Sequence, residues 1–315
     1  MSTSLNNPYA IVFPGQGSQS VGMMDKLAET YTNVKEDFAV ASSELGYDLW
    51  EKVTLGPEAY LNQTEITQPA LLAAGYATWN IWQQLVDTSP SVLAGHSLGE
   101  YTALVCAGVI DFKDAISLVA HRGKCMQQAV PAGIGAMAAI LGLEDDAITD
   151  ICNEVSSDQH VAPANFNSPG QIVIAGHKTA VEAAIEKASD AGAKRTILLP
   201  VSVPSHCLLM KKAAEQFSEK LNSVTFSDAL IPVIQNVDAT ERTDAKTIKE
   251  ILLQQLYKPV RWVELIQSIN NKNISTIIEC GPGKVLSGLN KRIERSLEVH
   301  CLQDKTSINK AMGQA

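Results

Sequence analysis

Short apolar runs alternate with longer helical patterns along the chain. Tyr9-Ala10-Ile11-Val12-Phe13 is a run of apolar residues closed by Pro14-Gly15-Gln16-Gly17, which predicts a strand and then a turn. Residues 21–45 predict helix, and 69–85, rich in Ala, Leu and Trp, predict a largely buried helix. A short apolar strand over 91–94 leads into Gly95-His96-Ser97-Leu98-Gly99, followed by helices over 100–107 and 114–129. Strands alternating with helices imply a parallel sheet covered on both faces.

The middle of the chain has another rhythm. Strands are predicted at 134–141, 161–165, 171–175 and 194–199, and helices at 144–155 and 179–191. Asn167-Ser168-Pro169-Gly170 makes the turn between the two central strands. The order β-α-β-β-α-β is the ferredoxin-like arrangement, so residues 132–200 are expected to form a small inserted domain. The larger unit resumes with an amphipathic helix over 208–221, a strand over 231–236 and a helix over 245–256. A buried strand over 274–280 follows, then Gly281-Pro282-Gly283 and a helix to about 295. The expected fold is α/β: an α/β-hydrolase-like large domain with a parallel sheet over 1–131 and 201–315, and the ferredoxin-like insert. No internal repeat or low-complexity linker appears in the sequence.

Composition narrows the function classes. A chain of 315 residues with 45% apolar content has enough material for a sizeable core. A net charge of −9 speaks against nonspecific nucleic-acid binding, so an acidic partner could dock only on a local basic patch. The N-terminus lacks a basic segment followed by a long apolar one, so no signal peptide is expected. The run over 134–143 is broken by Gly135 and Gly142 and is too short to span a bilayer, so no membrane partner is expected either. Six cysteines without a CxxC pair speak against disulfide or zinc frameworks and for a reduced, cytoplasmic protein. Cys207 stands out because it adjoins His206.

The chemistry concentrates at Ser97. Gly95-His96-Ser97-Leu98-Gly99 fits the G-x-S-x-G nucleophile elbow, in which a sharp strand-to-helix turn lifts a serine hydroxyl above the sheet. The following helix aims free N–H groups and the positive end of its dipole at the reacting centre. The pattern alone also fits a tight turn with an incidental serine. A nucleophilic serine needs a base and an oxyanion site. His206, in a loop that returns after the small domain, leads the six histidines as base; a solvated or core role fits the pattern equally well.

Seven segments occur in order: FPGQGSQ at 13–19, GHSLGE at 95–100, HRGKCMQ at 121–127, NFNSPGQIVIAG at 165–176, VPSHC at 203–207, QLYKPVRW at 255–262 and GPGKVLSGL at 281–289. Together they resemble the malonyl-CoA:acyl carrier protein transacylases of bacterial fatty-acid synthesis, over about residues 9–300. The resemblance implies that Ser97 takes malonyl from coenzyme A as an ester and that His206 is the general base. It implies that Arg122 binds the free malonyl carboxylate. Gln16 and Leu98 would give the oxyanion-hole N–H groups, and Gln255 the backbone carbonyl that replaces a triad aspartate. The implied partners are malonyl-CoA and acyl carrier protein, with no metal and no bound organic cofactor.

The residues themselves agree with these roles. Leu98 follows the nucleophile, where an elbow puts one oxyanion donor. Malonyl differs from acetyl by a carboxylate, which a guanidinium fork can hold in two charge-assisted hydrogen bonds. Met126, four residues after Arg122, shares its helix face and is a candidate for the acyl pocket or for ordinary core. His96 is read as an acyl-contacting or supporting residue, with core packing the default, and Asn165 as a residue shaping the site. Trp50, Trp79, Trp82 and Trp262 read as core aromatics. Carrier proteins of this family are acidic, so a local basic patch is expected at Lys284, Lys291, Arg292 and Arg295, which also fit a plain solvated face. Three rivals stand beside this reading: a serine esterase or thioesterase, an idle docking module, and the same transferase serving polyketide assembly.

Overall fold

The computed structural model describes residues 5, 7–131, 133–201 and 203–313. Most of the first residues read for a leader, and residue 132, where the small domain was expected to begin, lie outside these. In chain order the strands are β1 (Tyr9–Phe13), β2 (Val92–Gly95), β3 (Gly135–Leu141), β4 (Val161–Ser168), β5 (Gln171–His177), β6 (Arg195–Leu198), β7 (Val233–Ile234), β8 (Glu241–Arg242), β9 (Thr276–Glu279) and β10 (Glu298–Cys301).

The larger sheet has the order β10-β9-β1-β2-β7-β8. Its first five strands run parallel, whereas β8 pairs antiparallel to β7. The wholly parallel sheet expected from the sequence is therefore mixed at one edge. The physical reason is the connection: the few residues between β7 and β8 are too short for a crossover and allow only a hairpin. β1 is buried along its whole length. Ile11 and Phe13 face one core with the helices Thr64–Leu85 and Phe112–Ala129. Ala10 and Val12 face the other, with Trp262, Leu265 and Ile266. Burial on both faces explains the unbroken apolar run.

The smaller sheet has the order β4-β5-β3-β6 and is antiparallel throughout. Helices Asp145–Val155 and Lys178–Asp190 complete a β-α-β-β-α-β order and cover one face through Ile148, Val181 and Ala184. The other face, with Met137 and Val173, meets Cys207. The edge strand β4 joins the larger body directly: Phe166 N–H donates to the Val260 carbonyl and Val260 N–H to that of Ala164, each at 2.9 Å.

Several elements differ from expectation. The helical stretch over 21–45 is two helices, Asp25–Ala28 and Asn33–Leu45. The helix expected from 69 begins at Thr64, with Pro69 inside it, because Thr67 and Gln68 are buried and satisfied rather than looped out. The strand over 231–236 shrinks to Val233–Ile234, since Gln235 N–H turns to the Thr240 carbonyl and Asn236 is drawn toward Ser97. Helices Leu49–Leu55, Glu58–Leu61, Trp262–Asn270 and Lys305–Ala311, and strands β8 and β10, were not foreseen. Of the four tryptophans read as core, Trp50 is only partly buried. Among the described residues no helix is long and apolar enough to cross a membrane.

Candidate active site

β1 and β2 are neighbours with Phe13 opposite Gly95, so the loops leaving their carboxyl ends meet. That is where ligand crevices form in open α/β sheets. Ser97 sits at the turn with φ 52° and ψ −108°, capping the helix Leu98–Cys106. A left-handed backbone at a non-glycine residue is strained and persists only where its surroundings impose it. Here they do. A Cβ on Gly95 would lie 1.9 Å from the Gly99 carbonyl carbon, and one on Gly99 would lie 2.1 Å from the Phe13 oxygen. Both glycines are thus demanded by close backbone approach. Asn236 staples the turn: its Nδ2 donates to the Gly95 carbonyl at 2.6 Å and its Oδ1 accepts from Ser97 N–H at 2.7 Å.

Ser97 Oγ lies 2.7 Å from His206 Nε2, and His206 Nδ1 lies 2.7 Å from the Gln255 backbone oxygen. A carbonyl only accepts, so Nδ1 carries the proton and Nε2 is the acceptor facing the serine. Burial, aided by the positive charge of Arg122, pushes the His206 pKa down to about 3. The imidazole is therefore neutral at working pH, with the Nε2 lone pair turned to the Ser97 hydroxyl. His206 itself has φ 61°, a second strained residue at the same point.

The Leu98 and Gln16 backbone N–H groups have no protein acceptor among the described residues, and both residues line the cleft beside Ser97. Ser97 N–H, by contrast, is taken by Asn236. The pair of free donors suits an oxyanion.

Arg122 is 1% exposed, yet among the described residues no carboxylate forms an ion pair with it. Its Nη1 donates to Gln68 Oε1 at 2.9 Å and its Nη2 to Gln255 Oε1 at 3.0 Å, while Nε has no partner among the described residues. The guanidinium stacks over Tyr101, 5.2 Å from the ring centroid. A buried cation held only by neutral oxygens and an aromatic face is costly unless an anion joins it. The cleft it lines, about 200 Å³, provides the space for one.

The remaining expected residues fall around this cleft. His96 Nε2 lies 2.8 Å from Asn167 Oδ1, and its ring packs on Trp262. Met126 is buried with its sulfur 3.5 Å from Gln68 Nε2, and Asn165 lines the same cleft. Cys207 points away: it donates to the Pro204 carbonyl, and burial pushes its thiol up to about 12. Lys284, Lys291, Arg292 and Arg295 are exposed; the Lys291 amine reaches the Leu297 carbonyl, and Arg292 reaches Gln171 Oε1 at 2.7 Å. Among the described residues no cluster of metal-ligating side chains occurs.

Three residues were not anticipated: Gln68, Asn236 and Glu100. All are buried polar side chains bonded to the groups above. Glu100 left a trace in the sequence as the single charge in an otherwise apolar helix, whereas Gln68 and Asn236 left none.

The chain matches the family model described as acyl transferase domain over residues 10–308. It is 53% identical over 306 residues to a malonyl CoA-acyl carrier protein transacylase of Salmonella typhimurium, covering 97% of this chain and 99% of that one. The Escherichia coli K12 protein of the same name is 52% identical, covering 96% and 98%. Among solved structures, an acyl carrier protein S-malonyltransferase of Vibrio cholerae superposes with a TM-score of 0.94 at 57% identity, over 96% of this chain and 99% of that one. A malonyl-transacylase, solved in complex with a type II PKS acyl-carrier protein, superposes with a TM-score of 0.96 at 51% identity, over 98% of this chain and 100% of that one. The chain belongs to the acyl transferase domain family, among its malonyl CoA-acyl carrier protein transacylases.

Proposed function

We propose that this enzyme moves malonyl from coenzyme A to the phosphopantetheine thiol of acyl carrier protein through an ester on Ser97. The observation that carries the reading is the buried Arg122, in direct contact with no carboxylate and bridged by Gln255 to a hydrogen-bonded Ser97–His206 pair. His206 Nε2 takes the hydroxyl proton as Oγ attacks the thioester carbon. The Gln16 and Leu98 N–H groups hold the oxyanion, and the C–S bond breaks. The departing sulfur takes the proton from His206. The carrier-protein thiol then gives its proton to His206 and attacks the ester, and Ser97 Oγ recovers the proton as it leaves. Arg122 selects the acyl group, because an acetyl group would leave the guanidinium unpaired.

The strand order of the smaller sheet supports a ferredoxin-like unit over 132–200, inserted into an α/β-hydrolase-like body over 1–131 and 201–315. Six free cysteines suit a reducing compartment, the cytoplasm. Service in polyketide assembly is the second reading, favoured by the likeness to a malonyl-transacylase solved with a type II PKS acyl-carrier protein. An esterase would resolve the same acyl-enzyme with water. One assay separates these: with malonyl-CoA and acyl carrier protein together, malonyl transfer should far exceed release of free malonate. Hydrolysis as the dominant outcome would defeat the proposal.

A further inference from the structure

Two fully buried carboxylates occur among the described residues, Glu100 and Glu279. Glu279 is used up by the Leu286 and Ser287 N–H groups and the Ser287 hydroxyl. Glu100 has a different setting. Its Oε2 accepts from Asn236 N–H at 2.8 Å and from Gln255 Nε2 at 3.1 Å, while Oε1 has no partner among the described residues. The other end of the same Gln255 amide, Oε1, accepts from Arg122. One neutral amide is thus inserted between a buried anion and a buried cation, its dipole aligned with both. Nε2 also donates to the Ser97 carbonyl at 3.0 Å, so the amide has one orientation only.

A direct Glu100–Arg122 ion pair would occupy the guanidinium and exclude an anionic substrate. With no anion nearby at all, the guanidinium would be buried at full cost and would grip an incoming carboxylate very tightly. The intervening amide avoids both extremes. We infer that Glu100 is a specificity-determining counter-charge, acting through Gln255, that sets how strongly Arg122 holds the free carboxylate of the acyl group. The role rests on the proposed reading of Arg122 as the carboxylate-binding residue. Because a fixed negative charge opposes the acyl carboxylate, Glu100 limits ground-state binding and keeps the site able to release its cargo.

The test is Glu100→Gln, which preserves shape and leaves a carbonyl oxygen to accept from Asn236 and Gln255, but removes the charge. The readout is the ratio of kcat/KM for loading Ser97 from malonyl-CoA over acetyl-CoA at about pH 8, a ratio in which shared losses cancel. The ratio should rise about tenfold. In a Ser97→Ala background, malonyl-CoA should bind about tenfold more tightly and acetyl-CoA by a similar affinity to before. Should Glu100→Gln not fold, the unmodified enzyme gives the same reading. Burial raises the Glu100 pKa to about 7, against the lowering influence of Arg122, with Asp238 adding to the rise and Tyr101 and His206 also near the Arg122 charge. The ratio should then climb as pH falls from about 8.5 to about 6, His206 cancelling because both substrates need it. An unchanged or lowered ratio in both formats overturns the inference. Arg122→Ala tests the underlying reading separately: if it fails to abolish malonyl preference, that reading falls. If it succeeds while Glu100→Gln changes nothing, only the role of Glu100 falls.

Discussion

His206 Nδ1 donates its proton to the backbone carbonyl of Gln255 at 2.7 Å, in the place where a serine triad carries a carboxylate. A carbonyl carries only partial charge. It fixes the tautomer and ring orientation while stabilising the imidazolium less than an aspartate would. In the proposed reaction the proton taken from Ser97 would thereby be readily returned, which suits two thiols of similar basicity exchanging one acyl group. The side chain of the same residue brackets Arg122 and the Ser97 carbonyl. One residue therefore holds the His206 ring with its backbone and the Arg122 guanidinium with its side chain.

Arg122→Ala should cost malonyl loading about a thousandfold or more, far beyond its effect on acetyl loading, as the carboxylate loses its charge-assisted partner. Gln255→Ala, which keeps the carbonyl, should show the same selectivity with a smaller loss of about ten- to a hundredfold. Paired kcat/KM measurements with the two thioesters read both. Equal losses for the two substrates would remove Arg122 from the clamp.

Gly99→Ala should unfold the elbow rather than tune it. The new Cβ would meet the Phe13 backbone oxygen at 2.1 Å, and neither β1 nor the nucleophile helix can yield. A destabilisation above about 3 kcal/mol is expected in thermal or denaturant unfolding. A variant of near-native stability would contradict the packing described.

The pH response has two opposing parts. The His206 pKa lies far below the usual 6.5, so its share of stability is present above 6.5 and is lost as pH falls toward about 3. The Glu100 pKa is raised from 4.5 to about 7, so its share is present below 4.5 and is lost as pH rises through about 7. For catalysis the first sets the acid limit. Malonyl loading should hold or rise as pH is lowered from about 8 to about 6. A rate falling with a midpoint at or above about 6.5 would mean that the resting imidazole is not held neutral.

Carrier-protein encounter should depend on the basic end of the helix Val285–Ile293 and the residues beside it. Lys291 and Arg292 already reach Leu297 and Gln171, which leaves Lys284 and Arg295 as the freer charges of the four. Reversing both to Glu should lower the on-rate for carrier protein about tenfold, strongly with salt, while sparing coenzyme A loading. Unchanged carrier-protein kinetics would take this surface out of consideration.

The strand before Ser97 and the helix after it are legible because a fully buried β2 reads as an apolar run and Gly95 and Gly99 mark the close approach. The α-β alternation of the middle segment is legible from its turn at Pro169-Gly170. What escaped reading depends on distant pairing. Asn236 lies two residues beyond a two-residue strand with no periodicity, and only the fold carries it to Gly95 and Ser97. Gln68 sits in a largely apolar helix that also carries Asn80, Gln83 and Gln84, so its amide gives no hint of the guanidinium it meets. β8 and β10 are too short and polar to rise above loop composition. Glu100 was visible as an isolated charge, yet its meaning needs Gln255, far along the chain.

The most direct test is intact-protein mass spectrometry after brief exposure to malonyl-CoA without carrier protein. A single added malonyl group is expected, mapped to Ser97, absent in Ser97→Ala and discharged by holo acyl carrier protein. A malonylated Ser97→Ala protein, or an adduct on Cys207 or any other residue, would contradict it.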